Sequence, residues 1–299
     1  AYSVQVFFSP DGRYVVIGED NDVRIVNLNG EIVRSIGCNG FVAVSHNGKY
    51  IASCTRRLFT LWTFDGRLVA SKDISALGVS ARRKLSFSRD DTILLLGKGP
   101  SSVVMLNLDG SVAKTLDNGA AARSIDVGPD GTIAVSSYDL VNLWSPDGRR
   151  TNTLRFTENI QLVELSQDGT SILVCFENGS ISRLSLNGKT LSKTPDLAFC
   201  NSSTLSLNPD GRFLAEGFSD GSIKLWDLKK GIMSKTLRMH SDYLQAIAFT
   251  PDGKYMISAG YGIPKWGVSQ NSINVWTGDG RHLSTILKGE IVTDMELIP

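Results

Sequence analysis

The side chains with the most chemical capacity in this chain are three histidines, four cysteines and a few charged runs. His46 lies in a Ser-His-Asn-Gly turn, His240 stands ahead of Ser241-Asp242, and His282 follows Asp279-Gly280-Arg281 at the start of an outer strand. A metal centre needs several ligands converging on one point. Three histidines at different heights of a repeating unit do not supply that, so no metal is expected. Glu19-Asp20-Asn21-Asp22 is acidic but lacks the spacing and the glycine of a calcium loop. Gly97-Lys98-Gly99-Pro100-Ser101 lacks the G-x-x-x-x-G-K order and the following helix of a phosphate loop. Cys38, Cys54, Cys175 and Cys200 contain no C-x-x-C pair, and four cysteines in 299 residues make no disulfide framework. The thiols are expected to be free and the setting cytoplasmic. No cofactor is expected, and the chain reads as a non-enzyme.

The elements that hold these residues come from an internal repeat. One turn signature recurs seven times, as Ser9-Pro10-Asp11-Gly12, Ser45-His46-Asn47-Gly48, Ser88-Arg89-Asp90-Asp91, Gly128-Pro129-Asp130-Gly131, Ser166-Gln167-Asp168-Gly169, Asn208-Pro209-Asp210-Gly211 and Thr250-Pro251-Asp252-Gly253. The steps run from 36 to 43 residues. Proline sets φ for a turn entry, and Asp-Gly or Asn-Gly supplies the positive φ of a tight hairpin. A second series runs in phase with it: Asn29-Gly30, Asp65-Gly66, Asp109-Gly110, Asp147-Gly148, Asn187-Gly188, Lys230-Gly231 and Asp279-Gly280. Short β-branched and aromatic runs lie between the turns, so each unit predicts a four-stranded antiparallel meander. The second runs, such as Ile93-Leu94-Leu95-Leu96 and Ile172-Leu173-Val174-Cys175, are apolar without alternation. Such a strand is buried on both faces, which a lone meander cannot achieve and radially stacked ones can. The fold class read from the sequence is all-β, a seven-bladed β-propeller of four-stranded antiparallel blades. Eight blades, or a stretch of a longer array, is the alternative.

One propeller over residues 1–290 uses nearly the whole chain. Residues 291–299 are surplus and resemble another first strand, either a tail or the start of a further blade. Composition is that of a globular protein, with 41% hydrophobic and 20% charged residues. A net charge of +1 gives no whole-molecule attraction to nucleic acid or an anionic membrane. No apolar run approaches the length of a membrane span, and the first residues show no signal peptide.

On these residues the chain resembles the WD-repeat family, with the look of a prokaryotic array. Leu225-Trp226-Asp227 matches the dipeptide that names that family, and its Trp position recurs as Trp62, Trp144 and Trp276. The family's Gly-His element survives as Met239-His240. The resemblance implies a buried hydrogen-bond tetrad, for which His240, Ser258 and Trp276 supply three members and the Asp is missing. It implies structural roles for Trp62, Trp144, Trp226, Asp227, His240, Ser258 and Trp276. It also implies scaffolding, a rigid ring presenting loops to a protein or peptide partner, with signalling or fused modules as the common context.

The loops after second and fourth strands share one rim. Arg56, Arg57, Arg82, Arg83, Lys84 and Lys98 lie on or beside those loops in the second and third units, while Glu19, Asp20, Asp22, Asp139, Glu158, Glu177, Asp196 and Asp220 lie elsewhere on the same rim. The insertion 261–272, with Tyr261, Lys265 and Trp266, lengthens a loop there and carries the one Trp outside the repeat position. Solvated loop charges and a loop folded back on the blade are the plain readings. The functional reading is a partner-binding rim made of Arg56, Arg57, Arg82, Arg83, Lys98, Tyr261, Lys265 and Trp266. A propeller enzyme or small-ligand binder with its site at the central channel mouth is the alternative. The first strands, rich in Ser, Val, Leu and Phe, speak against it.

Overall fold

A computed structural model describes residues 5–19, 22–38, 40–78, 85–88, 90–91, 93–98, 101–166, 168–193, 202–250, 252–262, 271–287 and 290–292. Among the described residues the strands form seven antiparallel sheets, each a meander of strands consecutive in the chain. The first is β1 (Gln5–Phe8), β2 (Tyr14–Glu19), β3 (Asp22–Asn27) and β4 (Ile32–Ile36). The second is β5 (Phe41–Val44), β6 (Tyr50–Cys54), β7 (Leu58–Thr63) and β8 (Leu68–Asp73). The third is β9 (Leu85–Phe87), β10 (Ile93–Lys98), β11 (Ser102–Asn107) and β12 (Val112–Asp117). The fourth is β13 (Ser124–Val127), β14 (Ile133–Ser136), β15 (Leu140–Trp144) and β16 (Arg150–Arg155). The fifth is β17 (Ile160–Leu165), β18 (Ser171–Phe176), β19 (Ile181–Ser185) and β20 (Thr190–Lys193). The sixth is β21 (Ser202–Leu207), β22 (Phe213–Phe218), β23 (Ser222–Asp227) and β24 (Ile232–Arg238). The seventh has five strands, β25 (His240–Phe249), β26 (Tyr255–Gly262), β27 (Asn271–Thr277), β28 (His282–Leu287) and β29 (Glu290–Val292). These are propeller-type blades. The uniform four-stranded reading needs one correction: six sheets have four strands, and the seventh carries an added strand from the segment after Leu287.

Both turn series are built by the same chemistry. Where the first turn position is Ser or Thr, its hydroxyl donates to the carboxylate or amide two residues on: Ser9 to Asp11 at 2.6 Å, Ser166 to Asp168 at 2.6 Å and Thr250 to Asp252 at 2.7 Å. In the second series Ser185 donates to Asn187 and Thr277 to Asp279, each at 2.5 Å. The first-series hydroxyl also accepts an N–H from the returning strand, as in Tyr14 N to Ser9 Oγ at 3.0 Å and Tyr255 N to Thr250 Oγ1 at 3.0 Å. The Asp168 carboxyl is lowered to about 2 by the Ser166 hydroxyl and then by the Thr170 N–H and hydroxyl. Glycine in the second turn has a further cause besides positive φ. A Cβ on Gly110 would come within 2.7 Å of the Phe59 ring, and one on Gly148 within 2.8 Å of Leu116, both on the preceding sheet. These turns press on the neighbouring blade.

The sheets form two compact units, residues 38–200 and residues 1–37 with 201–299. Within the first unit, Phe59 and Leu61 of the second sheet pack with Phe87, Val104 and Leu106 of the third. Met105 and Leu116 of the third pack with Ile125, Ile133 and Trp144 of the fourth. Val141 and Leu143 of the fourth pack with Ile172, Val174 and Phe176 of the fifth. Within the other unit, Leu225 and Leu237 of the sixth sheet meet Leu244, Met256 and Trp276 of the seventh. The seventh sheet then packs Ile257 and Val275 on Val15, Ile17 and Val26 of the first, so the two ends of the described chain share a core. Cys38, Cys54 and Cys175 are buried thiols, and Cys200 falls outside the described residues.

Asp91 stands where the other first-series turns have glycine, and it holds a positive φ of 57°. Its buried carboxylate accepts His46 N at 2.6 Å and Asn47 N at 2.7 Å from the turn of the second sheet. Asp91→Gly would suit the backbone better but would strip two N–H groups of their acceptor. It is expected to lower stability by roughly 1–3 kcal/mol, read by chemical denaturation. An unchanged or raised midpoint would show that the carboxylate contributes nothing.

Candidate functional site

The structure brings together three of the residues assigned to the blade interior. In the seventh sheet the His240 Nε2 and the Ser258 hydroxyl lie 2.8 Å apart, and Trp276 Nε1 donates to that hydroxyl at 2.9 Å. Among the described residues, no carboxylate takes the place of the tetrad's missing Asp. Ser272 Oγ approaches His240 Nδ1 at 3.2 Å, and Asn274 Nδ2 approaches His240 Nε2 at 3.1 Å. Asn274 Oδ1 in turn meets His282 Nε2 at 3.1 Å and accepts the Thr285 hydroxyl at 2.5 Å. The sequence reading set His240 and His282 at different heights. The structure corrects that, because both rings reach the same Asn274. His282 also packs edge-on against Trp276, with centroids 5.0 Å apart.

Similar pins recur in other sheets with different residues. Asn118 precedes Gly128 by ten positions, as His240 precedes Thr250. Its side chain donates to Ser137 Oγ at 2.9 Å, and Asn142 Nδ2 donates back to Asn118 Oδ1 at 2.8 Å. Thr153 Oγ1 completes the chain on Asn142 Oδ1 at 2.6 Å. In the sixth sheet Glu216 occupies the Ser258 position, and Trp226 Nε1 donates to its buried carboxylate at 3.0 Å. In the second sheet Trp62 Nε1 donates to Thr60 Oγ1 at 3.0 Å, and that oxygen lies 2.7 Å from Ser53 Oγ. Trp144 Nε1 is buried with no hydrogen-bond acceptor among the described residues, and the Arg150 guanidinium sits 4.7 Å from the ring centroid. Trp226 and Trp62 are half-buried. Asp227 is buried beside Arg212 at 3.3 Å and Lys230 at 3.9 Å. Burial raises its pKa, but the Lys230 N–H and the Arg212 guanidinium outweigh that, and the net shift is downward.

Loops that follow second and fourth strands are tied in pairs. Ile74 N donates to Arg57 O at 2.7 Å, Asn118 N to Ser101 O at 2.8 Å and Phe156 N to Asp139 O at 2.8 Å. In each case the segment after a fourth strand is anchored to the turn between the second and third strands of the same sheet. Arg56 and Arg57 are exposed at the tip of a turn closed by Thr55, whose hydroxyl accepts Leu58 N at 2.8 Å and Arg57 N at 3.1 Å. Asp73 is lowered chiefly by the Ser75 hydroxyl and N–H, with a smaller contribution from the Arg57 charge. Further along the same unit, Tyr138 is 57% exposed, and the Arg123 guanidinium lies 4.6 Å from its ring centroid. Arg123 Nη1 also donates to Glu177 Oε1 at 2.7 Å and to Ile160 O at 2.8 Å, and Asn159 Nδ2 donates to Glu177 Oε2 at 3.0 Å. The Glu177 carboxyl is lowered, first by Arg123 and then by Asn159. The sequence reading counted Glu177 among loop charges and passed over Arg123 and Tyr138, because separation in the chain hid the pairing.

Of the other rim residues, Arg82, Arg83, Lys84, Lys265 and Trp266 lie outside the described residues. Lys98 ends β10 and Tyr261 lies in β26, with side chains outside the description. Arg56 and Arg57 belong to the 38–200 unit, and the 261–272 insertion belongs to the other. No group of three metal-ligating side chains occurs among the described residues, and no described helix is long and apolar enough to cross a membrane.

The His240 imidazole is lowered to about 4, first by burial and then by the His282 charge, and His282 is itself lowered by burial. A folded pKa below the unfolded value of about 6.5 favours the neutral ring. That stability is fully present above pH 6.5 and is lost as pH falls from 6.5 towards 4, to the extent of roughly 3 kcal/mol. His240→Asn is expected to flatten the dependence of melting temperature on pH in that window. An identical slope in both proteins would contradict the assignment.

Residues 132–293 match the family model described as Eukaryotic translation initiation factor eIF2A, a span of 162 of the 299 residues. The chain matches no curated protein.

Proposed function

We propose that this chain, which belongs to the eukaryotic translation initiation factor eIF2A family, is a non-catalytic scaffold that binds a protein partner of the translation apparatus through the loop rim carrying Arg56, Arg57 and Tyr138. The observation that carries this reading is the Arg123–Tyr138–Glu177 cluster. It offers a large exposed ring, backed by a guanidinium that is itself fixed by a carboxylate and a carbonyl. Tyr and Arg are, with Trp, the side chains enriched at binding hot spots. A ring already held in place loses little entropy when a partner covers it. Exposed Arg56 and Arg57 add positive charge to the same unit, where Glu177 and Asp139 add negative charge, a pattern that orients a partner of mixed charge.

In this reading the seven phased turn pairs form seven blades of one WD-like ring, and the protein works in the cytoplasm. The absence of chemistry in the sequence motifs supports a binding role over an enzymatic one. The double variant Arg56→Glu/Arg57→Glu, and separately Tyr138→Ala, should weaken retention of the chain on purified translation-initiation complexes by tenfold or more, a loss of about 1.4 kcal/mol. Their melting temperatures should stay near that of the parent, since these side chains are on the surface. Trp266→Ala tests the insertion in the same assay. Normal retention of all three, with loss on altering the Pro-Asp-Gly turns, would place function on the opposite rim.

A further inference from the structure

Five asparagines that precede glycine lie among the described residues, Asn29, Asn47, Asn118, Asn178 and Asn187, and a sixth, Asn39, lies outside them. Glycine has no side chain to shield its backbone nitrogen. In such a pair that nitrogen can attack the carboxamide carbon of the preceding asparagine, provided the carboxamide is free to turn. Four of the five carboxamides are held. Asn47 Oδ1 accepts the Ser45 hydroxyl at 3.0 Å and Lys49 N at 2.8 Å. Asn178 Oδ1 accepts Ser180 N at 2.9 Å and its hydroxyl at 2.8 Å. Asn187 Oδ1 accepts the Ser185 hydroxyl at 2.5 Å and Lys189 N at 3.3 Å. Asn118 is buried, with Nδ2 donating to Ser137 and Oδ1 accepting from Asn142.

Asn29 is the exception, and its neighbours say why. In the fifth and seventh sheets the hydroxyl two residues ahead donates to the turn side chain, as Ser185 does to Asn187. In the third sheet an asparagine, Asn107, stands in the hydroxyl's place, and Ser111 on the far side of the turn donates to Asp109 at 2.6 Å instead. The first sheet has neither donor: Asn27 replaces the hydroxyl and Glu31 replaces Ser111. Asn27 closes the turn by itself, its Oδ1 accepting Asn29 N at 3.1 Å and Glu31 N at 2.9 Å while its Nδ2 donates to Glu31 Oε2 at 2.6 Å. The exposed Asn29 carboxamide is left with no hydrogen bond among the described residues. Gly30 N does donate to Asn27 O at 2.9 Å, but Gly48, Gly179 and Gly188 are held in the same way at 2.8–3.0 Å. The difference between Asn29 and the others therefore lies in the side chain.

We infer that Asn29 is a covalent modification site, deamidated by its own neighbour Gly30 with water as the co-reactant. Gly30 N attacks Asn29 Cγ. The N–Cγ bond forms, the Cγ–Nδ2 bond breaks, and Nδ2 leaves as ammonia with the proton from Gly30 N. Water then opens the cyclic imide. Attack at Cγ gives aspartate, and attack at the backbone carbonyl carbon of residue 29 gives isoaspartate, with the main chain running through Cγ. Aspartate suits the turn, since Asp65, Asp109, Asp147 and Asp279 stand at the matching position elsewhere. Isoaspartate does not, because it lengthens the main chain by a methylene group. That extra length falls between Leu28, packed on the core shared by the first and seventh sheets, and Gly30, held at a φ of 86°. Each product also adds a negative charge to the β3–β4 turn.

The full chain, folded, is incubated in mildly alkaline water enriched in heavy oxygen and then mapped by tandem mass spectrometry of its tryptic peptides. Label should enter at Asn29 several times faster than at Asn47, Asn118, Asn178 or Asn187, as separable aspartyl and isoaspartyl forms of the peptide 25–34. In denaturant, where the turns are lost, the five sites should label at similar rates. Asn27→Ser restores the hydroxyl that Ser185 supplies ahead of Asn187, and it should slow labelling of Asn29 to the rate seen at Asn187. Labelling at Asn29 no faster than at Asn187 in the folded chain would overturn the proposal. So would the same ranking in denaturant, or an undiminished rate at Asn29 in Asn27→Ser.

Discussion

A four-stranded meander whose second strand is apolar on both faces cannot stand alone, and the rest of the structure follows from that constraint. All four residues of β14, Ile133–Ser136, are buried, with Ile133 and Val135 packed on the third sheet and Ala134 on the fifth. Burial of this kind is worth about 25 cal/mol for each Å² of apolar surface removed from water. It fixes spacing as well as stability. The second-series turns must carry glycine where Gly110 and Gly148 meet Phe59 and Leu116 of the preceding sheet, because any Cβ would push the sheets apart.

Close packing of apolar faces would leave the polar groups between strands without partners, and a recurrent set of pins answers this. In the seventh sheet it is His240, Ser258, Asn274 and Trp276; in the fourth, Asn118, Ser137, Asn142 and Thr153; in the sixth, Glu216 with Trp226. The residue types change from sheet to sheet while a polar chain between strands recurs, so the demand is for a hydrogen bond in that region and not for one amino acid. Two of these networks begin at Asn118 and His240, just after a fourth strand. At the rim, backbone bonds such as Phe156 N to Asp139 O tie that segment to the turn between second and third strands. The loop ends are therefore rigid before any partner arrives, which is what a binding surface on a scaffold requires.

Much of this was legible in the sequence. The two phased turn series gave the meanders, and their hydroxyl–carboxylate chemistry is visible as Ser or Thr two residues ahead of Asp or Asn. The His240–Ser258–Trp276 group could be read from the WD-like spacing. Glu216 could not, because a single carboxylate within Phe213-Leu214-Ala215-Glu216-Gly217-Phe218 reads as a solvent-facing interruption until its offset from the turn is compared with that of Ser258. Arg123, Tyr138 and Glu177 lie on three loops, and only the fold brings them within bonding distance. Trp226 is half-buried where Trp276 is enclosed, and its N–H is spent on Glu216. The surplus segment 291–299 reads in the sequence as a tail or the start of a further blade, and its described residues, Ile291 and Val292, pair on the outer edge of β28.

The central claim is that the rim built on Arg56, Arg57 and Tyr138 is where the chain engages the translation apparatus. Hydrogen exchange read by mass spectrometry, on the chain alone and in complex with its partner, tests this most directly. The account predicts new protection around Thr55–Leu58, Ser137–Leu140 and Glu158–Ile160, with the Ser-Pro-Asp-Gly and Gly-Pro-Asp-Gly turns unchanged. Protection confined to those turns, with the three rim segments exchanging as in the free chain, would contradict it.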